Sequence, residues 1–192
     1  RYISNHSSGK MGYAVARAAM MRGAQVTLVT GKTSLTPPVG VRTVQITSAA
    51  DMAEAVKACS KEQDIIIKAA AVADYRPKNT ADEKLKKKDA DLSIELERTE
   101  DILGFLGAHK PEGQFLCGFS METQNMIENS RQKLEKKNLD LIVANNVKEQ
   151  GAGFGTDTNI VTLLSEKDTL TLPLLSKEEV ADRLLDYILS HR

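Results

Sequence analysis

Short apolar runs alternate with amphipathic stretches over most of this 192-residue chain. The run from Asp64 to Ala70 is nearly all apolar, which is typical of a strand that is buried on both faces of a sheet. Met11, Val15 and Ala18 recur at helical spacing before such a run. This alternation predicts an α/β fold with a mostly parallel sheet and helices on both faces, built as a single domain over residues 1–192.

The periodicity and the turn residues place the individual elements. Helices are expected at 9–22, from 48 onward, 100–106, 123–138 and from 176 onward, and strands at 24–30, 41–46, 64–70, 92–96, 114–119, 139–144, 159–164 and 170–172. Residues 1–8 read as a polar loop that runs straight into the first helix. Because an α/β domain normally has a strand before such a loop, we expect an N-terminal strand that this numbering lacks.

Ligands of parallel sheets bind beyond the carboxyl ends of the strands. Four segments are predicted to lie there: 5–12, 69–88, 118–123 and 145–154. They are therefore the places to look for chemistry.

The loop from Ser4 to Gly12 is small, polar and glycine-containing, and it leads into a helix N-terminus, where backbone N–H groups favour anions. It does not match a P-loop, because Ser4 stands where the first glycine belongs and Met11 follows the lysine. Of the Gly-x-Gly-x-x-Gly fingerprint of dinucleotide-binding loops, this loop contains only Gly9-x-x-Gly12. The pattern fits an anion site and an ordinary serine-capped helix equally well.

Asp74 follows the run of small residues at 69–73, which would let a ligand approach the backbone. It either holds a metal ion that arrives on phosphates or is a solvated loop carboxylate. The basic run at 84–88, and Lys133 and Lys137 on one helix face, suit a polyphosphate. Each of these basic patterns also fits a plain solvated surface.

The composition excludes several classes of function. Lys and Arg number 26 and so do Asp and Glu, so the net charge gives no reason to expect a nucleic-acid or membrane partner. No apolar run approaches the ~18 residues of a membrane span. The three histidines are too scattered for a metal site. Cys59 and Cys117 are isolated, and Cys117 lies in an apolar run, so we expect Cys117 to be a buried core thiol and the protein to be cytoplasmic.

Taken together, the segments resemble the synthetase domain of bacterial phosphopantothenoylcysteine synthetases. The similarity extends from residue 1 to the final helix, in the family's order and spacing. The matching stretches are Arg-Tyr-Ile-Ser-Asn-His-Ser-Ser-Gly-Lys-Met-Gly at 1–12, Ala-Ala-Val-Ala-Asp-Tyr-Arg-Pro at 70–77, Glu-Lys-Leu-Lys-Lys at 83–87, Gly-Phe-Ser-Met-Glu-Thr at 118–123, and Lys-x-x-x-Lys-Asn-Leu-Asp at 133–140.

The resemblance implies a Rossmann-like sheet with an inserted strand that mediates dimerisation. It implies a ligase that joins 4′-phosphopantothenate to L-cysteine, with CTP as co-substrate, Mg²⁺ as cofactor and an acyl-cytidylate intermediate. It also implies a homodimer in which the segment after Asp74 crosses to the partner. In many bacteria this domain follows a flavin-dependent decarboxylase domain in one polypeptide.

The resemblance further implies roles for single residues. Asn5 and Lys84 would be catalytic, and Asp74 would share Mg²⁺ with the phosphates. The substrate would be bound by Arg1, Asn5, Ala70 and Ala71. The nucleotide would be bound by Lys68, Ala69, Ala70, Asp74, Lys84, Glu100, Asp101, Ile102, Leu103, Phe119, Lys133 and Lys137. Glu100 departs from the family, where we expect proline.

Two alternatives compete with the ligase. A nicotinamide-dependent reductase needs a full glycine fingerprint and an acidic residue after the second strand, where this chain has Thr30-Gly31. It would also need Tyr-x-x-x-Lys, but Tyr13 is followed by Arg17 and Tyr75 by Asn79. The second alternative is a nucleotide-binding module without catalysis, which only turnover can exclude.

Overall fold

A computed structural model of the chain describes residues 3–81, 83, 93–122, 125–146 and 156–192. The five helices within these residues are α1 (Lys10–Met21), α2 (Ala49–Ser60), α3 (Ile102–Ala108), α4 (Met126–Lys136) and α5 (Lys177–His191). The strands are β1 (Thr27–Thr30), β2 (Arg42–Gln45), β3 (Ile65–Lys68), β4 (Tyr75–Pro77), β5 (Leu96–Arg98), β6 (Phe115–Glu122), β7 (Leu141–Asn146), β8 (Thr158–Asn159), β9 (Val161–Leu164), β10 (Thr169–Thr171) and β11 (Leu175–Ser176).

The main sheet has five strands in the order β10-β9-β7-β6-β3. Strands β3, β6 and β7 are parallel, whereas β9 and β10 add an antiparallel edge. Strands β1 and β2 form a separate parallel pair. The mostly parallel α/β architecture predicted from the alternation is confirmed.

Apolar clusters cover both faces of the sheet. Helices α1 and α5 pack on one face, where Cys117, Val143 and Leu184 are fully buried. Helices α2, α3 and α4 contribute to the cluster on the other face, which contains Leu116 and Ile142. Cys117 is fully buried, which confirms the predicted core thiol, and this burial raises the pKa of its thiol well above its usual range.

Two helices begin at reciprocal caps. The Ser48 hydroxyl accepts the Asp51 N–H at 3.1 Å, and the Asp51 carboxylate accepts the Ser48 N–H at 2.9 Å. Ser176 and Glu179 form the same arrangement at the start of α5. The predicted starts at residues 48 and 176 are thus confirmed.

Two predicted helix starts are wrong. Helix α3 begins at Ile102 rather than at residue 100, because the Asp101 side chain caps it by accepting the Gly104 N–H at 3.0 Å. Helix α4 begins at Met126, after Asn125 in a left-handed conformation with φ 48°, rather than at residue 123. Residue 123 itself lies outside the described residues.

The strand predicted at 92–96 is shifted. Residue 92 is not among the described residues, and the observed strand β5 begins at Leu96. It pairs antiparallel with β4, which the sequence did not predict, and an ion pair of 2.8 Å between Arg76 and Glu97 joins the two strands. The strand predicted at 159–164 divides into β8 and β9 at Ile160, where the Asn159 carboxamide accepts the Ile160 N–H.

Within the described residues, β1 pairs only with β2, and β3 pairs only with β6. In the same part of the chain, no helix combines the length and apolar character that crossing a membrane requires.

Candidate functional site

A cavity of about 1660 Å³ extends along β1 and β3 and reaches the carboxyl-terminal halves of β6 and β7. The loop before α1 and the segment after β3 line it together with the ends of the strands. Parts of all four segments that the sequence placed at this edge lie in the described residues, and three of them contribute several lining residues. The segments predicted for this sheet edge therefore line one cavity, and its assignment as the functional site stays a prediction.

Asn5 is fixed at the mouth of the cavity. Its side-chain amide donates to the Ala71 carbonyl at 2.6 Å, so the loop before α1 is tied to the segment after β3. The loop turns into α1 at Gly9, which has φ 78°, and a Cβ at this position would meet the Thr33 side chain at 3.0 Å. The positive φ favours glycine here, and a larger residue would also require the Thr33 side chain to shift by a few tenths of an ångström. The Asn5 amide retains a second N–H that can reach a ligand.

Lys68 is the last residue of β3, and its partly buried side chain lines the cavity. Its ammonium donates to the Ala70 carbonyl at 3.0 Å. Burial, and then the like charge of Lys137, lower the pKa of Lys68, while Asp101 and Asp74 act in the opposite direction. An anion bound here would stabilise the charged form of Lys68.

Lys137 immediately follows α4, and its ammonium lies 2.9 Å from the Asp101 carboxylate. Burial alone would raise the pKa of Asp101. The Gly104 N–H and the Lys137 ammonium outweigh this effect and lower the pKa below its usual value. Asp101 therefore stays ionised at neutral pH and holds the Lys137 side chain.

The backbone of Lys137 is held as well. A Cβ built at Gly107 would lie 1.7 Å from the Lys137 carbonyl oxygen, so only glycine permits this approach of α3 to the end of α4. Asn138, with φ 48°, donates its side-chain amide to the Gly107 carbonyl at 3.0 Å. Helix α3 thus contacts Lys137 at both of its ends, which fixes the lysine at the cavity.

The lining residues are strongly basic although the chain as a whole is neutral. The acidic residues among the described lining are Asp74 and Glu97. The Lys and Arg residues of the lining are Lys10, Lys32, Lys68, Arg76, Lys78, Lys133, Lys137 and Lys177. Several of these pair with carboxylates, but the excess still makes the cavity suited to a polyanion.

Two lysines of the cavity were not singled out as site residues in the sequence, although Lys10 lies in the predicted segment 5–12. Lys10 forms an ion pair of 2.6 Å with Asp157, which joins α1 to a residue 147 positions away. Lys177 is buried and donates to the Thr156 carbonyl at 2.5 Å. Burial lowers its pKa, and the charge of Lys10 adds to the effect. No local pattern marks either contact, since both join distant parts of the chain.

The structure brings most of the predicted site residues together. The cavity is lined by Asn5, Lys68, Ala69, Ala70, Ala71, Asp74, Leu103, Phe119, Lys133 and Lys137. Three predicted residues are not among its lining. Glu100 forms an ion pair of 2.5 Å with Lys57, and Ile102 is buried in the core. Asp101 forms an ion pair with Lys137, which does line the cavity. Arg1 and Lys84 lie outside the described residues, so their roles stay predictions.

Asp74 is an exposed carboxylate at the cavity wall. Across the described ranges, no group of three or more His, Cys, Asp or Glu side chains could enclose a metal ion. Mg²⁺ is commonly held by one or two carboxylates, water and the phosphates of a substrate. A single carboxylate beside a basic cavity fits that kind of site, with the remaining ligands supplied by a nucleotide.

Known proteins resemble the chain over nearly all of its length. Residues 1–191 match the family model of the DNA/pantothenate metabolism flavoprotein C-terminal domain. The coenzyme A biosynthesis bifunctional protein CoaBC of Bacillus subtilis is 50% identical over 98% of this chain and 47% of its own length. The protein of the same name from Escherichia coli K12 is 45% identical over 99% of this chain and 48% of its own length.

A solved structure agrees with these matches. The crystal structure of the C-terminal domain of a coenzyme A biosynthesis bifunctional protein CoaBC superimposes with a TM-score of 0.83 at 46% identity, covering 98% of this chain and 85% of that one. The chain thus spans about half the length of the curated relatives that it matches, and most of the solved C-terminal domain.

Proposed function

Because the chain belongs to the family of DNA/pantothenate metabolism flavoprotein C-terminal domains, we propose that it is a CTP-dependent ligase that joins 4′-phosphopantothenate to L-cysteine in coenzyme A biosynthesis. The observation that carries the proposal is the basic cavity in which Asn5, Lys68 and Lys137 converge at the sheet edge. Relatives named for coenzyme A biosynthesis, at 45–50% identity, support it.

The first step activates the carboxylate of phosphopantothenate. One of its oxygens attacks the α-phosphorus of CTP, forming a new P–O bond as the bond to the pyrophosphate group breaks. Both reactants are anions, so their approach costs Coulomb energy unless cations offset it. Lys68, Lys133 and Lys137 line the cavity where these phosphates would lie. Lys84 would contribute a further cation, as the resemblance implies.

The second step forms the amide. The cysteine amine attacks the acyl carbon of the cytidylate, CMP leaves with the former carboxylate oxygen, and the amine loses a proton. Negative charge develops on the carbonyl oxygen in this step, and a fixed N–H donor lowers its energy. Asn5 suits this role, because its amide is already oriented by the Ala71 carbonyl at 2.6 Å and has a second N–H to donate.

Asp74 would hold Mg²⁺ together with the phosphates of CTP, and the ion would neutralise charge on the leaving pyrophosphate. The exposed carboxylate of Asp74, on the cavity wall, is the feature of this chain that supports the assignment.

The proposal includes a homodimer. Tyr75 on β4, Leu96 on β5 and Ile94 just before β5 are 47%, 47% and 60% exposed, and Tyr75 also lines the cavity. A second copy that covers the β4–β5 pair would bury these apolar side chains. Fusion to a flavin-dependent decarboxylase domain is proposed as well, since the relatives are bifunctional and about twice as long.

Pyrophosphate release tests the ligase directly. The protein, carrying its natural upstream residues, is mixed with phosphopantothenate, Mg²⁺ and either CTP or ATP, with and without cysteine. We expect CTP-dependent release that requires phosphopantothenate, and amide product only when cysteine is present. The variant Lys84→Gln should slow pyrophosphate release, whereas Asn5→Asp should preserve release and slow amide formation.

The outcome also separates the ligase from a simpler nucleotide-binding module. Binding of CTP without any pyrophosphate release would favour the module. Absence of CTP binding would contradict the ligase assignment.

A further inference from the structure

Helices α1 and α5 pack against each other, and both begin at the cavity. Their first residues, Lys10 and Lys177, are part of its lining. The start of a helix carries partial positive charge, so a lysine there is disfavoured. Helix α5 has Glu178 and Glu179 in its first turn, whereas the first turn of α1 has no acidic residue. The ammonium of Lys10 therefore stays at the start of α1 only if a counter-charge comes from elsewhere in the chain.

Asp157 supplies this counter-charge. Its carboxylate lies 2.6 Å from the Lys10 ammonium. The hydrogen bond from Lys10 lowers the pKa of Asp157, so the carboxylate is ionised at neutral pH. The Asp157 side chain is 86% exposed, and an ion pair as exposed as this contributes little to the stability of a fold. The main effect of the pair is then on where the Lys10 ammonium lies.

Asp157 is itself held by the start of α5. The Lys177 N–H donates to the Asp157 carbonyl at 2.9 Å, and the Lys177 ammonium donates to the carbonyl of the preceding residue, Thr156, at 2.5 Å. Strands β8 and β11 extend this contact, with Ser176 paired to Thr158. The apolar face of α5 is fully buried in the core. The backbone of Asp157 is therefore fixed relative to the core of the domain.

Lys177 supports this segment from a buried position. Burial, and then the like charge of Lys10, lower the pKa of Lys177, while Asp157 acts in the opposite direction. Its ammonium lies against the Thr156 carbonyl, so the contact of Lys177 holds the backbone at 156–157. A line of contacts thus leads from the core through Lys177 and Asp157 to the Lys10 ammonium.

We infer that Asp157 and Lys177 are positioning residues, which hold the Lys10 ammonium at the cavity wall, where it binds a phosphate group of the ligand. An ammonium has three N–H donors and can hold a carboxylate and a phosphate oxygen at the same time. The arrangement is the counterpart of Asp101 and Lys137, since in both an aspartate from a distant segment holds a lysine at a helix end. The assignment of this phosphate to CTP rests on the proposed function, whereas the positioning requires only a polyphosphate.

Asp157 has two opposing effects on a bound phosphate. Its negative charge repels the phosphate, and its contact with Lys10 places the ammonium that attracts it. Water and salt screen the repulsion, because the Asp157 side chain is exposed. Without the pair, the positive start of α1 would repel the Lys10 ammonium toward solvent. We therefore expect the positioning effect to dominate, so that neutralising Asp157 weakens the binding of an anion instead of strengthening it.

Calorimetric titration with inorganic triphosphate tests the inference without the ligase reaction. Lys10→Met should weaken triphosphate binding about tenfold, and Asp157→Asn about fivefold. The double variant should also lose only about tenfold, because Asp157 acts through Lys10, whereas two independent contributions would give about 50-fold. Asp182→Asn is the matched control. Asp182 on α5 also pairs with a residue of α1, Arg22, but neither residue lines the cavity, so triphosphate binding should be unchanged.

Two further measurements separate positioning from folding. Urea unfolding of Asp157→Asn should match the wild type, because the pair is exposed. Asp157→Glu keeps the charge and should recover most of the affinity that Asp157→Asn loses. Lys177→Met should weaken triphosphate binding in the wild-type background but not in the Lys10→Met background. If Lys177→Met fails to fold, the cycle of Lys10 and Asp157 still decides the question.

Several results would overturn the inference. Tighter binding by Asp157→Asn would show that this residue acts only by repulsion. Unchanged binding by Lys10→Met, additive losses in the double variant, or a wild-type protein that does not bind triphosphate would each contradict it as well. Failure of the proposed function looks different. A protein that binds triphosphate through Lys10 but never releases pyrophosphate from CTP would refute the ligase and leave the positioning role intact.

Discussion

The ammonium of Lys137 lies 2.9 Å from the carboxylate of Asp101, although 36 residues separate the two in sequence. The same carboxylate caps α3 by accepting the Gly104 N–H at 3.0 Å. Asp101 therefore connects the start of a helix to a cation of the cavity. A residue that does not itself line the cavity can in this way determine where a ligand phosphate is held.

We expect Asp101→Asn to weaken CTP binding. The substituted amide can still cap α3, so the fold should persist, but Lys137 loses its charged anchor. Loss of one positioned charged hydrogen bond should cost about tenfold in affinity, measured by calorimetric titration. Asp64→Asn, which removes a surface ion pair of 3.1 Å with Arg192, is the control and should bind CTP normally. Unchanged or tighter binding by Asp101→Asn would contradict the positioning role.

Gly107→Ala should destabilise the protein, although alanine is the better helix former. The added Cβ would stand 1.7 Å from the Lys137 carbonyl oxygen, a backbone atom that cannot move without shifting the end of α4. We expect a loss of about 1–3 kcal/mol in the free energy of unfolding, measured in urea. Gly31→Ala is the control, because its Cβ would meet only the Ile46 side chain at 3.7 Å. A stability gain in Gly107→Ala would show that the two backbones are not in contact.

As the pH rises, the affinity for CTP should fall at a lower pH than the ordinary pKa of a lysine would predict. Burial and then Lys137 lower the pKa of Lys68. The charged form that attracts phosphate is fully present below this pKa and is lost as the pH rises through it. Lys68→Met should bind CTP more weakly at neutral pH and should lack this alkaline step, which titrations between pH 7 and 10.5 would reveal. A step that persists in Lys68→Met would assign it to another group.

The lowered pKa of Lys68 acts on the stability of the fold in the opposite direction. Between the folded pKa of Lys68 and its ordinary value, the unfolded chain binds more protons than the folded chain, so stability contributed by this group rises with pH. Lys68→Met should remove that rise in urea unfolding experiments. The two effects together distinguish a lysine whose charged form is disfavoured by burial from a lysine that pairs with a carboxylate.

Leu96→Asp should convert the proposed dimer into a monomer. The substitution places a charge on the antiparallel β4–β5 pair, whose apolar side chains we expect the partner to cover. Light scattering at micromolar concentration measures the mass. Leu170→Asp is a matched control, since Leu170 is 43% exposed against 47% for Leu96 but lies on β10, an edge strand of the main sheet, to which β5 does not belong. A wild-type protein that is already monomeric would refute the dimer itself.

Local chemistry made part of this fold predictable. The helical spacing of Met11, Val15 and Ala18 identified α1, and Ser48 identified the start of α2, because caps and periodicity act over a few residues. Strand β4 was missed because its three residues are too few to show the alternation of apolar and polar residues in a strand. It also contains Pro77, a residue that is tolerated in edge strands but does not indicate a strand.

The candidate site was likewise predictable only in part from the sequence. Its expected position followed from where the predicted parallel strands end, and most of its predicted residues line one cavity. The contacts of Lys137 with Asp101 and of Lys10 with Asp157 were not predictable, because they depend on how distant helices and loops pack. The glycine fingerprint of a reductase was absent from the sequence, and family membership gives that alternative no support.

The most direct test of the ligase follows one oxygen atom. Phosphopantothenate labelled with oxygen-18 in its carboxylate is incubated with CTP, cysteine and Mg²⁺, and the products are analysed by mass spectrometry. Attack on the α-phosphorus predicts that one labelled oxygen appears in CMP and the other stays in the amide carbonyl, while the pyrophosphate is unlabelled. Label in inorganic phosphate with CDP as the other product, or no turnover of CTP at all, would contradict the account.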